Sequence, residues 1–195
     1  MPSKIYAQPA VEPITLEEAK LHLRIENDDT HEDSLIYALI AAACRHCENF
    51  LGRALITQTW DFYADSFPLD GCSYLELPYP PLASVATVKY KDTAGTLQTW
   101  DAANYIVDTI SEPGRIALAY GVLWPSTYDE IQAVQIRFVA GYGLAGSVPQ
   151  QIKNAILLKL TDLYENRGDA ERAFVTNTLE QAIEALLWSE RIVPL

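Results

Sequence analysis

Residues 137–149, Arg-Phe-Val-Ala-Gly-Tyr-Gly-Leu-Ala-Gly-Ser-Val-Pro, decide between two architectures. Gly141, Gly143 and Gly146 stand at the G-x-G-x-x-G spacing of a dinucleotide-binding turn, with an apolar run before them and a helical pattern after. In such a site the helix begins inside the glycine motif, so that its first amides face a pyrophosphate. Here Ser147 is the natural cap and Pro149 suits the first turn, which starts the helix after the last glycine. A nucleotide-binding unit must also return to a second parallel strand carrying a ribose-binding acid. Asp162 lies near the required distance but falls within the helix itself, and a polar linker and another helix follow it. The stretch reads as a strand-to-helix turn.

The flanks give the rest of the layout. Residues 1–14 read as a proline-containing lead. Thr15 with Glu18 three positions on is a capping-box signature, and a short helix is expected from Leu16 to about Leu23. The acidic connection Glu26–Asp33 leads into a long helix, Asp33 to Leu51, ended by Gly52. Ile36, Ile40, Cys44, Cys47 and Leu51 recur on it at helical spacing and form a stripe that must be buried. From residue 54 the texture changes to short β-branched and aromatic runs. Strands are expected at Ile56–Ala64, Tyr74–Leu77, Val85–Lys91, Leu97–Trp100, Tyr105–Asp108, Arg115–Leu118 and Ala133–Val139, with Asp92–Gly95 as a hairpin loop. Helical periodicity returns at Ser147 and runs to about Asn166, with Ile152, Ile156, Leu160, Leu163 and Tyr164 inward. The polar segment Glu165–Arg172 precedes a last amphipathic helix, Leu179 to Glu190, whose apolar face is Leu179, Ala182, Ile183, Leu186 and Leu187.

The fold class is α+β: a helical bundle from residues 1–53 and 147–167, a β-rich insertion at 54–146, and a hinge with a C-terminal helical arm at 168–195. Burying the last helix is required, but its own bundle and a partner's groove are both open as the place. If it is a free arm, deleting residues 177–195 should abolish docking and leave the fold intact.

A chain of 195 residues buries enough surface to fold without disulfides. Its net charge of −12 argues against gripping a phosphate backbone, which takes clustered Lys and Arg. Three cysteines at no framework spacing, and an N-terminus without an apolar signal region, indicate an unsecreted protein made in a reducing cytoplasm, with no membrane association.

Chemical motifs are sparse. Cys44-Arg-His-Cys47 lacks a second ligand pair for zinc, since only Cys72, His22 and His31 remain, and both cysteines fall on the apolar stripe. No serine sits in G-x-S-x-G, and His22, His31 and His46 cluster in or beside the first helices. Glu26–Asp33 lacks the glycine and spacing of a calcium loop. No catalytic, cofactor or metal site is expected. Tyr74, Tyr79, Trp100 and Trp124 could form a sugar-binding face, which makes a carbohydrate- or surface-binding module the alternative reading. A redox or nicotinamide enzyme would rest on the cysteine pair and the glycine turn alone.

Three stretches carry a family likeness. They are Ile14-Thr-Leu-Glu-Glu-Ala-Lys-Leu-His-Leu-Arg24 with the helix Leu35–Leu51; Trp124-Pro125 before Val134–Gly143; and Val148-Pro-Gln-Gln-Ile-Lys-Asn-Ala-Ile-Leu-Leu with Leu163–Arg167. In these the chain resembles the head–tail connector (adaptor, or head-completion) family of long-tailed bacteriophages, in a longer form with a β-rich insertion. The resemblance implies a structural virion protein and no enzyme. It implies a ring, dodecameric in expectation, beneath the portal protein, extending the DNA channel toward a tail-side protein at the virion neck. The C-terminal arm would engage the portal, through Leu179, Ile183, Leu186, Leu187, Trp188, Ile192, Val193 and Leu195. Leu157 and Leu158 lie off the main stripe and are the expected subunit interface. DNA would pass without specific binding, which an acidic chain favours.

Overall fold

The computed structural model describes residues 2–68, 74–166 and 173–192. The chain forms two compact units, each discontinuous in sequence: Met1–Pro9 with Thr57–Tyr142, and Ala10–Ile56 with Gly143–Leu195. The first is all β and the second helical, so the fold class is α+β.

The β unit contains β1 (Ser3–Ala7), β2 (Gln58–Ala64), β3 (Tyr74–Glu76), β4 (Leu82–Lys91), β5 (Leu97–Trp100), β6 (Tyr105–Asp108), β7 (Arg115–Leu118) and β8 (Val134–Ala140). Seven of these coincide with expected strands to within three residues. The eighth, β1, lies in what read as a lead. Its alternation is hidden because it is an edge strand with only Ser3 and Ile5 half-buried. A five-stranded sheet has the order β1-β2-β8-β4-β5 and a three-stranded sheet the order β3-β7-β6, antiparallel throughout.

Period-two patterning sets the large sheet's register. Trp60, Phe62 and Ala64 on β2 pair with Phe138, Ile136 and Val134 on β8, and all six are buried. The opposite face carries Asp61 directly across from Arg137. The guanidinium donates Nε to Asp61 Oδ1 at 2.7 Å and an Nη to Oδ2 at 2.9 Å, with the Tyr6 ring 3.4 Å above it. These hydrogen bonds hold the Asp61 carboxyl below its ordinary range. Phe67, Trp100 and Trp124 form an aromatic cluster with centroid separations of 5.0–5.5 Å. At Gly114 a Cβ would lie 2.4 Å from Leu82 Cβ, so only glycine lets this loop pass.

The helical unit contains α1 (Leu16–Leu23), α2 (Asp33–Leu51), α3 (Gln150–Glu165) and α4 (Ala173–Leu187). The capping box forms as read: Glu18 N donates to Thr15 Oγ1 and Thr15 N to Glu18 Oε2. Gly52 adopts the left-handed C-cap conformation, φ 66°, and all five residues of the α2 stripe are buried. The start of α3 differs from expectation. Ala145–Ser147 form a 3-10 turn and Pro149 is the N-cap, so Ser147 caps nothing. Ile152, Ile156 and Leu160 are buried as expected, whereas Leu163 and Tyr164 are half-buried, and Ala155 and Asp162 take inward positions.

Candidate functional site

The glycine turn and the paired cysteines take structural roles among the described residues. Gly141 and Gly143 have φ of 124° and 112°, which a side chain would strain. The Gly141 amide donates to the Pro81 carbonyl at 2.9 Å. Because α3 begins four residues beyond Gly146, its N-terminus is not built on the glycine motif. Asp162 faces Lys159 Nζ at 3.2 Å and accepts from Asn166 Nδ2 at 2.8 Å, inside α3. Cys44 and Cys47 are buried free thiols, and burial pushes both upward, Cys47 to about 12, so neither is a thiolate nucleophile at neutral pH. Cys72 lies outside the described residues.

The acidic connection before α2 is organised by an internal cation. Lys20 is buried, and its ammonium donates to the carbonyls of Asn27 and Asp29 at 3.3 and 2.7 Å and pairs with Asp33 at 2.5 Å. The ammonium thus ties the carbonyls of the connection to the first residue of α2. No group of three or more potential metal-ligating side chains occurs among the described residues. No helix there is long and apolar enough to cross a membrane. Of the aromatics weighed as a sugar platform, Trp100 is buried in the cluster with Trp124, and Tyr79 stacks on Trp60 at 4.1 Å. Tyr74 alone is exposed, under Arg115.

The expected docking surface is the C-terminal end of the helical unit. Helix α4 starts earlier than its apolar pattern indicates, at Ala173, and a 3-10 turn, Trp188–Glu190, follows it. Its inward residues are Ile183 and Leu187, both fully buried, while Ala182 is exposed. Packing against α3 and α2 places α4 on its own bundle, one of the two places that amphipathicity leaves open for it. Leu179, Leu186 and Ile192 are half-buried and Trp188 is 62% exposed. Val193 and Leu195 lie outside the described residues. Leu157 and Leu158 on α3 are half-buried.

Polar contacts hold this end in place. Glu180 accepts from Lys159 Nζ at 2.7 Å and His46 Nε2 at 2.8 Å, joining α4 to α3 and α2. Burial opposes the Lys159 charge, but its hydrogen bonds to Glu180 and Asp162 prevail and raise its pKa. Gln151 Nε2 donates to the Leu186 carbonyl and, at 3.2 Å, to Ser189 Oγ. Arg53 Nε donates to the Glu190 carbonyl at 2.5 Å, and Ile192 N to the Leu51 carbonyl at 2.9 Å. The chain's last described residue therefore satisfies an orphan carbonyl at the end of α2. Arg191 lies over both Phe50 and Trp188, 4.7 and 5.4 Å from the ring centroids. Local sequence carries no signal for partners about 140 residues apart; the only hint was that Gly52 ends α2.

Comparison with known proteins gives this arrangement a context. Residues 13–76 match the family model of phage gp6-like head-tail connector proteins. The whole chain matches a solved chain from the neck of an empty gene transfer agent particle, determined with C6 symmetry. The TM-score is 0.81 at 22% identity, over 100% of this chain and 97% of that one. The resemblance to head–tail connectors holds. A chain from the virion of the native particle matches over the same shares with TM-score 0.79 and 22% identity. One from the neck of the native particle, determined with C12 symmetry, matches with TM-score 0.71 and 23% identity, over 98% of this chain and 97% of that one. No curated protein matches the chain. Over its whole length, then, the chain shares the fold of these neck and virion chains, and the connector-family match covers its first third.

Proposed function

We propose that this protein is a structural head–tail connector of a virion neck, an adaptor that assembles as a ring beneath a portal and extends the DNA channel toward the tail. The supporting observation is the end-to-end likeness to neck chains, combined with the connector-family match of residues 13–76. Symmetric neck particles support a ring, and twelve copies is the number we favour. A net charge of −12 suits a channel through which DNA must slide without sticking.

The portal-facing surface in this reading is the C-terminal end, with Trp188, Leu186, Leu179 and Ile192 as its accessible apolar groups. Ile183 and Leu187 support them from within. Leu157 and Leu158 remain the proposed contact with a neighbouring subunit on the helical side. A tail-side protein would meet the opposite end of the ring.

Negative-stain imaging and native mass spectrometry, on the protein alone and mixed with a portal, test the proposal. Rings, or a ring-on-portal complex, are expected. A monomer that ignores the portal at every concentration would overturn it.

A further inference from the structure

The five-stranded sheet sorts the charge of the β unit onto one face. That unit holds ten acids and five bases, Lys4, Lys89, Lys91, Arg115 and Arg137. Four of the bases stand in strands of the large sheet, and of the acids only Asp61 does. The ladders put these five groups together on the face opposite the buried Trp60, Phe62, Ile136 and Phe138. Lys4, Asp61, Arg137 and Thr87 form one cross-strand row, Tyr63, Gln135, Lys89 and Thr99 the next, and Lys91 stands two residues beyond Lys89.

A positive surplus remains after the face's own pairs are made. Arg137 holds Asp61 through two hydrogen bonds, and Lys91 Nζ reaches Glu130 at 2.6 Å. Four cations thus meet two carboxylates. Lys4, exposed, lies across the ladder from an Asp61 that is already bonded, and the row of Lys89 holds no acid. On a chain of net charge −12, such a face selects an acidic occupant.

DNA is one acidic surface and a protein is another. With Arg137 and Lys91 already on carboxylates, the two remaining ammoniums fall short of the clustered Lys and Arg that hold a phosphate backbone. The chain itself carries a surface of the second kind. Glu17, Glu18, Glu26, Asp28 and Asp29 are all exposed, on α1 and just beyond it, and Arg24 is the only exposed Lys or Arg between them. Lys20 is turned inward onto Asp33 and two carbonyls. Glu18 serves the capping box and Asp29 accepts from His31 N. The Glu17, Glu26 and Asp28 carboxylates are the ones with no such task. Sheet face against sheet face, or α1 against α1, would oppose like charges, whereas sheet face against α1 attracts. A contact between two different patches is heterologous, the kind that closes into a ring by rotation.

We infer that the polar face of the large sheet in one subunit docks on the exposed acids of α1 and its following connection in the next, with Lys4 and Lys89 set against Glu17, Glu26 and Asp28. The inference rests on the connector reading and adds to it a second subunit contact, separate from Leu157 and Leu158.

Two charge-reversed variants test it. Lys4→Glu with Lys89→Glu reverses the sheet face, and Glu17→Lys with Asp28→Lys reverses the helix patch. Each variant alone sets like charges across every junction and should raise the subunit dissociation constant about tenfold or more. An equimolar mixture opposes reversed face to reversed patch and native face to native patch, so it should form rings of alternating composition in native mass spectrometry. The wild-type ring should loosen about tenfold between ~0.05 and ~0.5 M salt. Circular dichroism and melting check folding; where a reversed pair fails to fold, the neutral pairs Lys4→Gln with Lys89→Gln and Glu17→Gln with Asp28→Asn should still weaken the ring. If the variants form rings as well as wild type, or the mixture does no better than its parts, the docking is wrong while the connector reading stands. Fluorescence anisotropy with a DNA duplex decides the other occupant. Binding by wild type that is lost in the sheet-face variant, with its rings unchanged, assigns the face to DNA and overturns the docking. A wild type that never associates, with or without portal, overturns both readings.

Discussion

Ile183→Ala tests whether the last helix is core or arm. Ile183 is completely buried beneath α4, and truncating a buried isoleucine costs about 2–5 kcal/mol in lost transfer energy and residual cavity. We take ~3 kcal/mol, which for a chain of this size lowers the melting temperature by about 6–12 °C. Trp188→Ala is the control: its ring is 62% exposed, and its loss should cost about 1 kcal/mol or less, chiefly through the Arg191 contact. The four tryptophans separate the units, since Trp60, Trp100 and Trp124 lie in the β unit and Trp188 in the helical one. Urea titration followed at 222 nm reports the helical unit, and fluorescence of a Trp188→Phe background reports the β unit. Ile183→Ala should shift the first and spare the second. If Ile183→Ala changes stability by less than about 0.5 kcal/mol, as surface substitutions do, α4 is not docked in solution and the packing argument fails.

Deleting residues 177–195 should unfold the helical unit or lower its midpoint sharply, because it strips Ile183 and Leu187 from the core and reopens the Leu51 carbonyl; a truncated chain with wild-type melting would refute this. Asp61 is held below the ordinary carboxylate range by its Arg137 hydrogen bonds, so its contribution is present above that range and lost as pH falls through its folded value. Asp61→Asn should lower neutral-pH stability of the β unit by about 2 kcal/mol and flatten its acid-side pH dependence, checked by urea midpoints from pH 7 to pH 2. Gly114→Ala drives a methyl into Leu82 and should cost about 1–3 kcal/mol, partly recovered by Leu82→Ala in a double-mutant cycle; full additivity would count against the contact. In a Cys72→Ser background the native protein should not react with a thiol probe at pH 7.5 until denatured, because burial keeps Cys44 and Cys47 protonated.

Much of this fold was legible because its signals are local. The Thr15–Glu18 box, the α2 stripe and Gly52 each depend on residues within one or two turns, and each formed as read. Seven strands followed from β-branched runs and their punctuation. Strand β1 was not legible, since its inward Ser3 is polar and its outward Tyr6 is a large ring, which masks the alternation, and it owes its place to Asp61, Trp60 and Phe62 across the ladder. The end of the chain was half legible. Amphipathicity required a covered face on α4, but what covers it is set by Arg53, Lys159 and His46, which pattern reading cannot connect to Glu180 or Glu190. The acidic connection was legible as something other than a calcium loop, from its missing glycine and spacing, but its organising cation was not: Lys20 stands seven to nine residues upstream of the carbonyls it holds.

That Ile192 closes the end of α2 has a consequence for synthesis. A ribosome makes β1 first, finishes the first half of the helical unit by residue 56, then makes the rest of the β unit, and only afterwards supplies α3, α4 and the capping amide. The β unit can therefore fold on the nascent chain, whereas α1 and α2 wait, their apolar stripe uncovered, until α3 and α4 have been made.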